Sequence, residues 1–424
     1  MRFSGEGSRV PLKVALFSYR GNPFCGGQGV YLQNLSRALA ERGHQVHIFS
    51  GPPYPGPMPW ATTHLLPNEN FIVRPARHFP LRTIIQPLSL LEYALARAGA
   101  NPEMMTQSFR LYGLLRRLHA REKFDVVHDN QSLGYGLLLI QRLGIPVVAT
   151  IHHPLAIDRQ EDLRQMEGLL RKARRAIYYP PLMQALVARK LQAVITGSDF
   201  VGSLIEEHYR LGPGRAERIY HGVDCAFFRP IPEIEKVPGR LIFVGSTEDR
   251  KKGVRYLLEA LASLAAAVHL VIVDGRRYPG RVYARDLIAK LGLGERVSWR
   301  ERISNEELVQ EYNRAEAAVV PSLFEGFGLP ALEAMACGLP VVATSAGALP
   351  EVTGPDGVAA LLVPPADPEA LARAIRRLLS SPSLRRQLGG QARRRAEQNF
   401  SWAKAAAATE AVYVQVRRDW RAPY

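Results

Sequence analysis

A chain of 424 residues, 47% apolar and 22% charged, has the length for two domains with separate cores and the make-up of an ordinary globular protein. Cys25, Cys225 and Cys337 are odd in number and widely spaced, which argues against a disulfide framework or a cysteine metal cluster and points to a reducing, cytoplasmic setting. Fifty-five basic against 39 acidic residues leave a net charge of +16, which attracts anionic partners such as nucleic acid, lipid headgroups or a phosphorylated substrate. No apolar run reaches the length of a membrane span: the longest, near Leu257 to Val273, is broken by Glu259, Ser263 and His269. Val14 to Phe17 is too short for the core of a secretory signal and reads as a first strand.

Lys13 to Ser18 is that strand, and a turn-rich loop from Arg20 to Gly29 follows it. Val30 to Arg42 repeats apolar residues at helical spacing, Gly43 stops it, and Gln45 to Ser50 is a second strand. This is a βαβ unit with glycines at its first turn. It lacks the dinucleotide-binding pattern, because Leu32 stands where the third glycine belongs and Ser50 where an acid would hold a ribose. Gly51 to Pro59 is a proline-rich loop. Phe71 to Lys123 mixes strand-like and helical pieces with many cations, among them Arg74, Arg77, Arg82, Arg110, Arg116 and Arg117. Phe124 to His128 is a strand, Leu137 to Arg142 a helix, and Pro146 to Ile151 a buried strand that delivers His152 and His153 at its carboxyl tip, where parallel sheets collect ligands.

Asp158 to Lys190 reads as long helices in which Arg171, Lys172, Arg174 and Arg175 sit near Tyr178 and Tyr179. Such a stretch suits an anionic membrane surface or a solvated face. After a strand at Ala193 to Thr196, Ser198 is placed to cap the next helix. Pro230 to Pro238 is a linker. Arg240 to Val244 opens a second set of strands. The loop Gly245 to Gly253 carries Arg250 and Lys252 into a helix from Val254, a combination that suits a diphosphate and also fits a solvated charged turn. His269 to Asp274 and Val297 to Trp299 are further strands, and Ser304 with Glu307 forms a capping box.

Ala317 to Val320 then runs as a buried strand into Gly326 and Gly328, with Pro330 in the first turn of a helix over Ala331 to Cys337 and Gly338 just past its end. Strand, glycine turn and helix start make an anion site. Two carboxylates bracket it. Glu325 and Glu333 by themselves read as a helix cap and a solvated residue. Within this motif they read as acceptors for sugar hydroxyls on either side of a diphosphate. Leu361 to Val363 and Asp367 to Leu379 are a last strand and helix. Arg393, Arg394 and Arg395 are the densest basic run, and Ala403 to Arg418 is a terminal helix.

The stretch Pro321-Ser322 to Gly338, with Glu325 and Glu333 separated by seven residues, resembles the donor-binding motif of family 4 glycosyltransferases, and Leu339 to Val352 continues the likeness. The resemblance implies a GT-B fold: α/β, with two Rossmann-like parallel-sheet domains facing across a cleft. The expected boundaries are 1–222 for an acceptor-side domain, 223–400 for a nucleotide-sugar domain, and 401–424 for a helix crossing back. It implies retention of anomeric configuration in a hexosyl transfer. No Asp-x-Asp metal-holding motif occurs, so no metal and no cofactor are expected. The Gly27 turn resembles the family's Gly-Gly loop, and the run Pro146 to His152 resembles the segment that brings a histidine to the donor sugar. His153 stands where relatives often carry Asp, and His221 where they carry Asn. Ser246 occupies the family's Arg position, for which Arg250 is the replacement candidate, while Lys252 matches the family's Lys.

The catalytic set is therefore His152, Glu325 and Lys252. The donor set is Gly27, Arg250, Lys252, Glu325, Phe327, Gly328, Leu329 and Glu333. The expected partners are a nucleotide-sugar, UDP- or GDP-linked, and a hydroxyl acceptor that is a lipid, a glycan or a small molecule. An anionic inner-membrane face is a further candidate and nucleic acid is not. The competing readings are a basic, non-catalytic surface-binding protein on the same scaffold, and an epimerase or phosphorylase of GT-B fold.

Overall fold

Strand pairing is parallel throughout the computed structural model, which describes residues 10–21, 27–68, 86–165, 168, 172, 178, 181–275 and 282–420. The chain divides into two units. One holds the residues up to Thr196, Gly202–Ile219 and those from Ala406 onward; the other holds Gly197–Val201 and Tyr220–Ala405.

The first unit runs β1 (Lys13–Ser18), α1 (Gly27–Glu41), β2 (Gln45–Ser50), β3 (Thr62–Leu65), α2 (Pro87–Arg97), α3 (Glu103–Glu122), β4 (Val126–Asn130), α4 (Gly136–Gln141), β5 (Val147–Ile151), α5 (Leu155–Gln165), α6 (Pro181–Ala188), β6 (Ala193–Thr196), α7 (Asp199–Tyr209) and β7 (Ala216–Arg218). Its sheet order is β3-β2-β1-β4-β5-β6-β7. β1, β4 and β5 are almost wholly buried, because helices cover both faces of a parallel sheet.

The second unit runs β8 (Arg240–Val244), a 3-10 turn at Arg250–Lys252, α8 (Val254–Ala262), β9 (His269–Asp274), α9 (Tyr283–Lys290), β10 (Val297–Glu301), α10 (Asn305–Arg314), β11 (Ala317–Val320), α11 (Leu329–Ala336), β12 (Val341–Thr344), α12 (Leu349–Thr353), β13 (Ala360–Val363), α13 (Pro368–Leu379) and α14 (Pro382–Asn399). Its order is β10-β9-β8-β11-β12-β13. Two apolar clusters line the faces of this sheet, one around Met335, Leu332 and Tyr312, the other around Leu257, Leu270 and Ile375. A terminal helix, α15 (Trp402–Asp419), carries Glu410, Tyr413 and Arg417 onto the first unit, where they bond Arg42 at 2.5 Å, His128 at 2.5 Å and Asp125 at 3.1 Å.

Local chemistry sets many of these boundaries. Ser304 and Glu307 form the reciprocal capping box read from the sequence. Gly338 takes φ +66° just after α11, and Pro330 sits in that helix's first turn. Where expectation and structure differ, the reason is a weak apolar signal. α1 starts at Gly27 rather than Val30. β3 is a mostly exposed edge strand with no apolar run. α14 is strongly polar and buries little beyond Leu388, Gly389, Ala392 and Ala396. At Gly389 the helix comes so close to α11's end that a Cβ would sit 2.3 Å from the Gly338 oxygen.

No described helix is long and apolar enough to cross a membrane. Part of the basic surplus works inside the fold. Arg393 donates to the carbonyls of Phe228, Ala336 and Cys225, and Arg395 to those of Val352 and Glu351, so both guanidinium groups satisfy helix-end or loop carbonyls. Arg394 is exposed. Arg110 pairs with Glu92 at 2.6 Å, whereas Arg116 and Arg117 face solvent. Cys25, Arg74, Arg77, Arg82, Arg171, Arg174, Arg175 and Tyr179 lie outside the described residues.

Candidate active site

In each sheet the chain order reverses once: between β1 and β4 in the first unit, and between β8 and β11 in the second. Loops leaving the carboxyl ends of two such strands diverge and open a crevice, which is where parallel α/β sheets bind ligands. Of the site residues read from the sequence, Gly27 follows β1, and Lys252 and Glu325 follow β8 and β11, so these lie at the two reversals; His152 follows β5, one strand beyond β4.

In the second unit the loops after β8, β11 and β12 are clipped together. Leu323 N donates to Lys251 O at 2.7 Å. Gly253 has φ +66°, and a Cβ there would lie 1.9 Å from the Pro321 oxygen. No side chain fits where two backbones meet so closely. Thr344 Oγ1 donates to Ser322 O at 2.5 Å from the tip of β12. Ala348 N donates to Glu325 O at 2.9 Å, and at Gly347, φ +61°, an added Cβ would lie 2.2 Å from the same oxygen. The loop that carries Glu325 is thus braced by the loops after β8 and β12.

Its side chain meets the predicted cation. Lys252 Nζ donates to Glu325 Oε2 at 2.7 Å, and Ser322 Oγ donates to the same oxygen at 3.2 Å. The side chains are 25% and 11% exposed, so the pair is largely covered yet still reaches solvent. Glu325 does not cap α11: the cap position is Gly328, at φ +104° and ψ +48°, and no side chain bonds there. The first N–H groups of α11, at Leu329 and Ala331, have no acceptor within the helix by construction, and they carry the positive end of its dipole. Arg250 is exposed at the start of the 3-10 turn. Phe327 turns its ring inward, 4.7 Å from His221 and 5.9 Å from Phe400, which leaves its backbone rather than its ring on the loop.

Glu333 lies on the next turn of α11. Burial pushes its carboxyl up to about 7, with a hydrogen bond from Tyr312 acting the other way. Tyr312 Oη is 3.1 Å from Glu333 Oε2 and 3.2 Å from Pro330 O. In the sequence Tyr312 reads only as part of a helix. A signal was present, since Val309, Tyr312 and Asn313 share one buried face of α10, and a buried tyrosine hydroxyl needs a partner.

In the first unit His152 sits just past β5. Its Nε2 bonds Asn130 Oδ1 at 2.7 Å, and Asn130 Nδ2 donates to the Gln28 carbonyl at 3.0 Å, which ties His152 to the turn of Gly27. Gln131, buried and at φ +66°, accepts from His152 N at 2.6 Å and His153 N at 3.3 Å and donates to His153 O at 2.7 Å. A non-glycine residue in that conformation stores strain of about 1–3 kcal/mol, of the kind found where function fixes a loop. The ring of Tyr31 stands edge-on to His152 at 5.0 Å. Behind it a buried chain runs from Tyr31 Oη to Thr150 Oγ1 (2.8 Å), to His128 Nε2 (2.7 Å), and from His128 Nδ1 to Tyr413 Oη (2.5 Å). Burial drives His128 down to about 3, so it serves as a neutral link. His128, Asn130 and Gln131 carry no periodic signal because they are isolated polar residues at the end of a strand, and Tyr31 reads only as one more residue on the buried face of α1.

Glu325, Lys252, Gly328, Leu329 and Glu333 therefore come together in the second unit, and Gly27 and His152 in the first. Residues 25–227 match the model of Glycosyltransferase Family 4, and residues 226–395 match that of Glycosyl transferases group 1. The chain is 42% identical over 410 residues to an MMP alpha-(1->4)-mannosyltransferase of Mycolicibacterium hassiacum, covering 95% of this chain and 98% of that protein. It is 28% identical over 449 residues to a D-inositol 3-phosphate glycosyltransferase of Streptomyces bingchenggensis, covering 97% of this chain and 91% of the relative. Among solved structures, sucrose-phosphate synthase from Thermosynechococcus elongatus superposes with a TM-score of 0.76 at 26% identity, over 96% of this chain and 100% of that one.

Proposed function

The chain belongs to the family 4 glycosyltransferases, with two Rossmann-like parallel sheets of the GT-B class, and from that premise we propose that it transfers a mannosyl residue from a nucleotide-diphosphate mannose, GDP- or UDP-linked, to a sugar hydroxyl with retention at the anomeric carbon. Glycosyl transfer is its activity. Mannose, and a glycoside as acceptor, are carried over from the alpha-(1->4)-mannosyltransferase that matches almost the whole chain.

The observation that supports the reading best is the 2.7 Å Lys252–Glu325 pair beside the N-terminus of α11, with Glu333 on the same helix. In the resting protein the two charges neutralise each other. A donor offers each a better partner: diphosphate oxygens for Lys252, sugar hydroxyls for Glu325. Lys252, Arg250 and the first-turn N–H groups then stabilise the charge that develops on the departing diphosphate. Glu333 accepts hydrogen bonds from the ribose. His152, oriented by Asn130, bonds the transferred sugar. In the retaining step the bond from the anomeric carbon to the phosphate oxygen breaks, and the bond to the acceptor oxygen forms on the same face. The acceptor proton passes to the leaving phosphate.

A donor panel tests this. With methyl α-mannoside as acceptor, GDP-mannose or UDP-mannose is expected to release nucleoside diphosphate and yield an α-linked dimannoside, read by the anomeric signals in proton NMR. A β-linked product rejects retention. Release from glucose or galactose donors alone rejects mannose, and release from none rejects the enzyme.

A further inference from the structure

We propose that Tyr312 is a positioning residue for donor binding: its hydroxyl, switching between the Pro330 carbonyl and the Glu333 carboxylate, holds Glu333 in the ionised, ribose-accepting state. The proposal deepens the reading above and rests on it.

The geometry is specific. Tyr312 is 1% exposed, and its ring is fixed among Val309, Phe228 and the α11 face. Its hydroxyl has one proton and two acceptors in reach, Glu333 Oε2 at 3.1 Å and Pro330 O at 3.2 Å. The Pro330 carbonyl is an α-helical acceptor already engaged within α11, so it loses little when the hydroxyl turns away. When Glu333 is ionised, the proton goes to the carboxylate, because a hydrogen bond to a charged acceptor is about twice as strong as a neutral one. When Glu333 is protonated, its own O–H donates to Tyr312 Oη and the tyrosine proton returns to Pro330. One hydroxyl rotation therefore accompanies each protonation, and the tyrosine has a partner in both states.

The other titratable group near the carboxyl is the Cys337 thiol one turn along α11, pushed up to about 12 by burial. It is neutral in the working range. The cations on that side, Arg393 of α14 and Lys236, act on Cys337, and Arg393 is bonded to the Ala336 carbonyl at the end of α11. Tyr312 is thus the group that bonds the Glu333 carboxyl from a neighbouring element. A ribose donates its hydroxyl protons, so it binds the ionised acid. Removing the tyrosine proton leaves the buried acid harder to ionise, and donor affinity then needs a higher pH.

The test compares the wild type, Tyr312→Phe and Glu333→Gln in full-chain protein. The donor KM is followed with the nucleotide-sugar from pH 5.5 to 9, because that molecule has no group titrating near 7. The wild-type KM should fall as pH rises through about 7 and level off above. Tyr312→Phe should keep kcat within about twofold at high pH while moving the midpoint up by about one unit, which raises KM about fivefold at pH 7. Glu333→Gln should abolish the inflection. A Tyr312→Phe midpoint equal to the wild type's overturns the role of Tyr312 alone. A flat wild-type profile that Glu333→Gln leaves unchanged overturns the ribose-binding reading and this inference with it.

Discussion

Lys252→Ala is expected to lower turnover by about 10²–10³-fold, because in the proposed reaction it removes a preorganised charge aimed at the departing diphosphate. The companion substitution Glu325→Ala should also abolish most transfer, but by a different route. Lys252 and Glu325 are paired at 2.7 Å in the resting protein, so deleting the acid frees the cation. Glu325→Ala should therefore bind nucleoside diphosphate as tightly as the wild type or more tightly, while Lys252→Ala binds it more weakly. Isothermal calorimetry alongside steady-state kinetics separates the two. If both variants lost nucleotide affinity equally, Lys252 and Glu325 would be acting as a structural ion pair.

Gly347→Ala should be nearly as damaging, although Gly347 carries no chemistry. The residue has φ +61°, and a Cβ would lie 2.2 Å from the Glu325 oxygen and 2.8 Å from the Glu325 nitrogen. Left-handed backbone costs an alanine about 1–2 kcal/mol, and relief of the clash adds a similar amount. The clashing atoms are backbone, so the β11 loop must move and take Glu325 with it. A shift near 1 Å at a catalytic group costs about a hundredfold in rate. The melting temperature should fall by about 5–10 °C for a domain of this size. A variant that melts and turns over like the wild type would mean that the β12 loop is free to yield and does not position Glu325.

Much of this site is legible in the sequence, for a physical reason. Glycines that meet another backbone and a proline in a helix's first turn are demands of the main chain, and the main chain writes them in residue type. Gly328, Pro330, Gly338 and the Ser304–Glu307 box are of this kind. So are the buried runs Ala317–Val320 and Val147–Ile151, whose apolar continuity follows from helices on both faces of a parallel sheet.

What stayed hidden depends on side chains that meet from distant segments. Lys252 and Glu325 each stand out in the sequence, but their pairing does not, because 73 residues separate them. Tyr312 looked like an ordinary residue on an amphipathic helix. Gln131 gave no signal at all, since a glutamine that buries itself to brace two histidine amides differs in no local way from one that faces water. Arg393 and Arg395 misled in the other direction. A run of three arginines reads as surface charge, yet two of the three satisfy internal carbonyls.

The most direct measurement is a crystal structure of the protein soaked with the nucleoside diphosphate released from its donor. The diphosphate should displace Glu325 from Lys252, lie against the first turn of the helix that begins at Leu329, and leave the ribose hydroxyls on Glu333. A nucleotide bound elsewhere, with the Lys252–Glu325 pair intact at 2.7 Å, would contradict the account.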